Sequence, residues 1–285
     1  MVSGALHGHS ALLRSSYDSC LLRDRRDGHR PGRFDRPVLQ PSGSHLGLQP
    51  PAGLEEPGYG HGQQQWKDHV NRCNALISMR GGDAMSWMDT LRQLMPSHPG
   101  AGDAVDWTAV EHSWGTGFPR DYRDFITLYG AGAIGDYLGF PLPESRTAEG
   151  VEPTFQGMEA ETLNALHFWE YKAPEGSGQS GLIAWGVDSS ADILCWRVTD
   201  SDPDRWPVVV WNQDDGFWLE YPCGLVEFLC RVFRAEFDEC PLGSVNLWGN
   251  ASTRFLHRDE EARLRSQGLD PWTGEPDPFA GMFSD

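Results

Sequence analysis

No stretch of about 18 consecutive apolar residues occurs in the 285-residue sequence, which excludes a membrane-spanning helix. Positive charge is also scarce. Twenty-three Lys and Arg face 41 Asp and Glu, a formal charge of −18. Nucleic acid and anionic lipid are both recognised chiefly through Lys and Arg, so neither suits this chain as a direct partner. A basic protein suits it better. The six cysteines include no C-x-x-C pair, and four lie in apolar or helical surroundings, so neither a zinc site nor a disulfide framework is expected. The first residues, MVSGALHGHSALLRSS, lack the basic start and unbroken apolar run of an export signal, which leaves the cytoplasm as the expected location.

What is present divides sharply near Met85. Residues 1–84 hold 10 basic and 8 acidic residues, whereas residues 85–285 hold 13 and 33. The first part also has six of the ten histidines but one of the twelve tryptophans. Its stretch RDRRDGHRPGRFDRPVLQPSGSHLGLQPPAG has no helical or alternating periodicity and is rich in Gly and Pro. Two readings stand for 1–84: a disordered basic arm, or upstream codons outside the natural protein.

Residues 85–103 read as a short helix, SWMDTLRQLM, and a linker. Asp106 then precedes WTAVEHSW, where it can accept from the free amides of a helical first turn. Pro119 opens a second helix with Tyr122, Phe125, Ile126 and Tyr129 on one stripe and Gly130 at its end. A strand is expected over 134–140 and a helix over 159–172. The stretches LIAWGVD, ADILCWRV, PVVVWN and FWLEY, separated by turn-rich segments, read as a meander, closed by an amphipathic helix through Leu225, Phe228, Leu229 and Val232. The fold class is therefore α+β: an antiparallel-rich meandering sheet packed with helices, an N-terminal helical pair and a closing C-terminal helix over 104–242. Residues 243–285 are expected to be partly helical, then mobile.

Few residues suggest chemistry. Gly130 to Gly135 spells G-x-G-x-x-G, but it follows a helix and leads into a strand, the reverse of a dinucleotide site. Asp200-Ser201-Asp202-Pro203-Asp204 opens like a calcium loop, yet Arg205 stands where glycine is needed and Trp211 where the closing glutamate belongs. His167 has no second ligand at metal spacing, and no G-x-S-x-G elbow occurs. No catalytic residue, metal or cofactor is expected.

The stretch DWTAVEHSWGTGFPRDYRDFITLYGAGAI resembles the SUKH superfamily, the yeast cell-wall-assembly-regulator-like proteins that include bacterial polymorphic-toxin immunity proteins. Trp107, Glu111, Gly115, Phe118, Pro119, Tyr122, Phe125, Gly130 and Gly132 carry the likeness, with Trp185, Gly186 and Trp196 further on. Phe118 stands where leucine is usual, and Ala131 separates glycines that are adjacent in many members. These are packing and turn residues, so the resemblance speaks first to fold. It implies a non-enzymatic domain that binds and blocks a cognate toxin, often a nuclease; a regulatory or scaffolding adaptor of the same fold is the alternative.

Charge supports that implication. Residues 104–242 carry 8 basic and 24 acidic residues. Asp188, Asp192, Asp200, Asp202, Asp204, Asp214 and Asp215 fall in the expected turns of the meander, where they could converge on a basic toxin domain. Trp211 and Trp218 flank one of those turns as the aromatic contact candidates.

Overall fold

A computed structural model describes residues 86–148, 150–178 and 181–278; the 1–84 extension lies outside the described residues. Ser86 starts helix α1 (Trp87–Leu94) by accepting from the Asp89 amide, and Leu91 and Met95 are fully buried. The segment that reads as a helix and linker therefore contributes to the main core. Helix α2 (Trp107–Trp114) is capped by Asp106, which accepts from the Ala109 amide at 3.1 Å, and it ends at Gly115 with φ of 69°. Helix α3 (Arg120–Tyr129) follows Pro119 and buries the expected stripe of Tyr122, Phe125, Ile126 and Tyr129.

The single strand expected over 134–140 is instead a hairpin of β1 (Gly132–Ile134) and β2 (Leu138–Phe140). Gly135, with φ of 56°, makes the intervening turn possible. After α4 (Met158–Lys172) come β3 (Gly181–Asp188), β4 (Ile193–Val198), β5 (Val208–Asn212) and β6 (Phe217–Tyr221), each antiparallel to the next as the alternating stretches predict. Helix α5 (Leu225–Phe233) closes the meander. The residues after Leu242 add an edge strand, β7 (Phe255–His257), and helix α6 (Arg258–Ser266). Residues 268–278 are tied by a bridge between Leu269 and Pro276, although this stretch reads as mobile. The sheet order is β6-β5-β4-β3-β2-β1-β7.

Successive side chains of a strand point to opposite faces, which sorts the core into two parts. Leu194, Trp196, Val208 and Val210 face the side covered by α1, α3 and α5, where they meet Tyr122, Phe125 and Phe228. Tyr122 sits edge-on to Trp196 with ring centroids 4.7 Å apart. Ile193, Cys195, Val209 and Trp211 face the other side, covered by α4 through Ala165 and Trp169. Helix α4 thus covers this second cluster, while α6 packs on β1 and β7.

The G-x-G-x-x-G run is a packing device at the β1 edge. A side chain at Gly132 would collide with the carbonyl oxygen of Leu256 on β7. Gly130 lies against His257 and Asp103, and its φ of 75° ends α3. The Asp103 carboxylate accepts from the Ala131 amide at 2.7 Å and lies 3.2 Å from His257 Nε2. The Asp259 amide donates to His257 Nδ1, so Nε2 carries the hydrogen and donates to Asp103. This pairing joins the 98–103 loop to the edge strand.

Candidate interaction surface

Alternate turns of a meander lie at opposite ends of the sheet, so the acidic turns form two groups. The β3–β4 and β5–β6 turns share one end, and the β4–β5 connection lies at the other. Strands of five or six residues separate them by roughly 17–20 Å. The seven carboxylates therefore do not converge.

At the first end Asp188 and Asp192 are fully buried, so they are not contact residues. Asp188 Oδ1 accepts from the amides of Ser190 and Asp192 at 2.8 and 3.0 Å, and its Oδ2 accepts from Ser244 at 3.1 Å. Asp192 accepts from Gln213 at 2.9 Å and from Gly243 at 2.6 Å. The two side chains stitch both turns to the segment after Leu242. Charge-assisted bonds from backbone amides make this burial tolerable. Burial, then repulsion from Asp192, pushes the Asp188 carboxyl up to about 7. Burial raises Asp192 as well, and Asp214 and Asp215 add to it. Those two last residues remain exposed at the tip of the β5–β6 turn.

At the opposite end the charges are largely answered locally. Asp200 and Asp202 accept from the amides of Asp202 and Asp204, and each has a carboxylate oxygen 3.5 Å from Arg205. This is an acidic turn built on backbone caps, with Pro203–Arg205 as one 3₁₀ turn. Asp204 accepts from the Arg120 amide at 2.7 Å and from its Nε at 2.6 Å, which caps α3 from 84 positions away. Burial alone would raise the Asp204 carboxyl, but the two bonds from Arg120 outweigh it and hold it low. Asp204→Ala should lower stability by about 1–2 kcal/mol, read by urea unfolding. An unchanged midpoint would show that this cap contributes nothing.

Trp211 and Trp218 are 3% and 1% exposed and belong to the second core, which corrects their reading as contact residues. Phe168 of α4 stacks on Trp211 at 4.7 Å with planes 8° apart, and Trp169 meets Trp218 edge-on at 5.1 Å. The exposed apolar residues are elsewhere. Among the described residues, five of the six large exposed hydrophobics are Val151, Phe155, Leu163, Leu166 and Tyr171, on α4 and the loop before it. Their signal was in the sequence: EAETLNALHFWEYK is apolar around the whole helix, which one buried stripe does not require.

Two of the described thiols are held out of reactive form by burial. Burial pushes Cys195 well above the usual thiol range and Cys230 up to about 12, so both stay protonated. Among the described residues, no group of three or more His, Cys, Asp or Glu is placed to hold a metal ion. Among them, too, no helix is long and apolar enough to cross a membrane.

Residues 105–229 match the family model described as SUKH_6, SMI1-KNR4 cell-wall. This region belongs to the SUKH superfamily. Neither a curated protein nor a solved structure matches the chain. The residues that carry the SUKH likeness have visible work in the fold. Trp107 and Phe118 pack at 5.7 Å, Glu111 pairs with Arg123 at 3.0 Å, and Arg123 lies over the Trp107 ring at 5.1 Å. Gly115 and Gly130 end helices, while Trp185, buried in the main core, marks a bulge in β3 beside Gly186. SUKH proteins act in general as immunity or regulatory proteins that bind other proteins. They are generally not enzymes.

Proposed function

We propose that this protein is a non-enzymatic, immunity-type binder that neutralises a cognate toxin, nucleases included, by covering its basic active surface. The observation that carries this reading is the charge of the SUKH region: three acidic residues to each basic one over 104–242, with Asp214 and Asp215 exposed at a sheet end. A toxin acting on nucleic acid must present Lys and Arg to phosphates, and an acidic inhibitor is steered toward that surface.

The first test is genetic and biochemical together. A reading frame beside the gene should encode a secreted protein with a basic C-terminal toxin domain, and the purified chain should abolish that domain's activity at equimolar concentration. Full toxin activity in the presence of excess chain would refute the proposal. Asp214→Asn with Asp215→Asn should slow association several-fold and flatten its salt dependence, since removing exposed charges acts mainly on the association rate. Equal rates for variant and wild type, measured by stopped flow, would remove this turn from the contact surface.

A further inference from the structure

Helix α4 buries Met158, Glu161, Thr162, Ala165 and Trp169 against the sheet. At 3.6 residues per turn, positions 163, 166, 167 and 170 lie on the opposite side. A helix packed on a sheet normally carries polar residues there. Here Leu163 and Leu166 are 45% and 37% exposed, and Tyr171, beside the His167 ring at 5.0 Å, is 69% exposed. The preceding loop adds Val151 and Phe155, 58% and 63% exposed. Single exposed hydrophobics are ordinary, but five within 21 residues form a patch that needs a reason.

The exposed charges on these segments are mostly acidic. Glu144, Glu152, Glu170 and Glu175 are exposed on α4 and the loops that flank it, as are Arg146 and Lys172. The two basic residues of the region are Arg146, paired with Glu159 at 3.1 Å, and Lys172. A second copy of this chain is a poor occupant, because a two-fold contact would set mostly acidic segments against each other. Anionic lipid meets the same repulsion. Apolar side chains accompanied by charged ones suit a protein contact, and the complementary partner has apolar side chains accompanied by Lys and Arg.

We infer that the outer face of α4, with Val151 and Phe155, is the docking surface for such a basic amphipathic protein element. The inference rests on the binding function proposed above and names the surface that performs it. Phe168 connects the two regions: it stacks on Trp211, three positions before Asp214, and Tyr171 follows one helical turn later on the same flank of α4. The exposed charges would steer the partner, and the patch would hold it.

The test uses the full chain and two synthetic helical peptides of equal positive charge, one of leucine and lysine with an apolar stripe, the other with serine replacing leucine. Affinity is measured by calorimetry and the footprint by hydrogen exchange. The Leu/Lys peptide should bind at least ~tenfold more tightly than the Ser/Lys peptide and protect residues 151–171. Leu163→Ser with Leu166→Ser, and separately Phe155→Ser, should erase that difference while leaving the melting temperature within about two degrees, as for surface changes. Equal affinity of both peptides, or protection confined to 200–205 and 214–215, would overturn the docking surface and leave the basic-partner reading standing. Binding of neither peptide at low salt would defeat both. Self-association that the Leu163→Ser, Leu166→Ser variant abolishes would assign the patch to a second copy instead.

Discussion

A chain ending at Leu242 should fail to unfold cooperatively at 25 °C, even though the SUKH match stops at residue 229. Three losses compound. Phe255 and Leu256 are 1% and 0% exposed, and removing them forfeits about 1.5–3 kcal/mol each. Gly243 and Ser244 donate to the buried carboxylates of Asp192 and Asp188, and bonds to charged groups contribute roughly 1.5–3 kcal/mol apiece. The β1 edge would also lose its only outer neighbour in the sheet order. Together these approach the whole stability of an ordinary domain, about 5–15 kcal/mol. Circular dichroism melts of the truncated and full chains read the outcome. A sharp transition within a few degrees of the full-length chain would show that the segment after Leu242 is dispensable. A gentler version is Gly132→Val, which should detach β7 through collision with Leu256 and lower the melting temperature strongly.

Stability should fall as pH rises from about 5 to 8. Asp188 is held at about 7 in the fold by burial and by Asp192, against 3.8 unfolded. The folded state therefore binds more protons across that window, and its stability declines with pH until the carboxyl is ionised. Asp192 and Asp121 are raised by burial and act in the same direction. Asp214 and Asp215 face Asp192, and Cys240 lies beside both buried carboxyls, so negative charge accumulates at this end as pH rises. A tenfold change in proton affinity between the folded and unfolded chain is worth about 1.4 kcal/mol. The opposite group, Asp200, Asp204, Glu159 and Asp270, is held below the usual carboxylate range and loses its contribution at lower pH. Maximum stability is thus expected near pH 5, with a melting temperature several degrees above that at pH 8. Asp188→Asn should flatten the decline. A melting temperature that rises steadily from pH 5 to 8 would contradict this account of the buried pair.

Much of the fold was legible because its signals are local. Asp106, Pro119 and Gly130 mark helix ends with side chains and backbone geometry that act within one turn, and the structure places them there. The meander was readable from alternating strands cut by acidic turns. What escaped depends on distant partners. The three residues of β7 sit among charges, and only pairing with β1 makes them a strand. β1 and β2 are equally short, and Gly135 divides what looked continuous.

The site was harder to read for a related reason. Asp188 and Asp192 look like exposed turn residues until the amides of 243 and 244 arrive from more than 50 positions away. Trp211 and Trp218 look available until Phe168 and Trp169 cover the second face of the sheet. The separation of the acidic turns could have been foreseen, because consecutive turns of a meander alternate ends. So could the patch on α4, whose leucines fall off the buried stripe. Asp214 and Asp215 are the two members of the expected set left exposed at their end of the sheet.

The most direct test of an acidic binder is the rate at which the full chain associates with the neighbouring toxin domain as ionic strength is varied. Electrostatic steering predicts an association rate that falls at least ~tenfold between low and roughly physiological-to-high salt, with a dissociation rate that changes little. An association rate independent of salt, or no complex even at the lowest ionic strength, would contradict it.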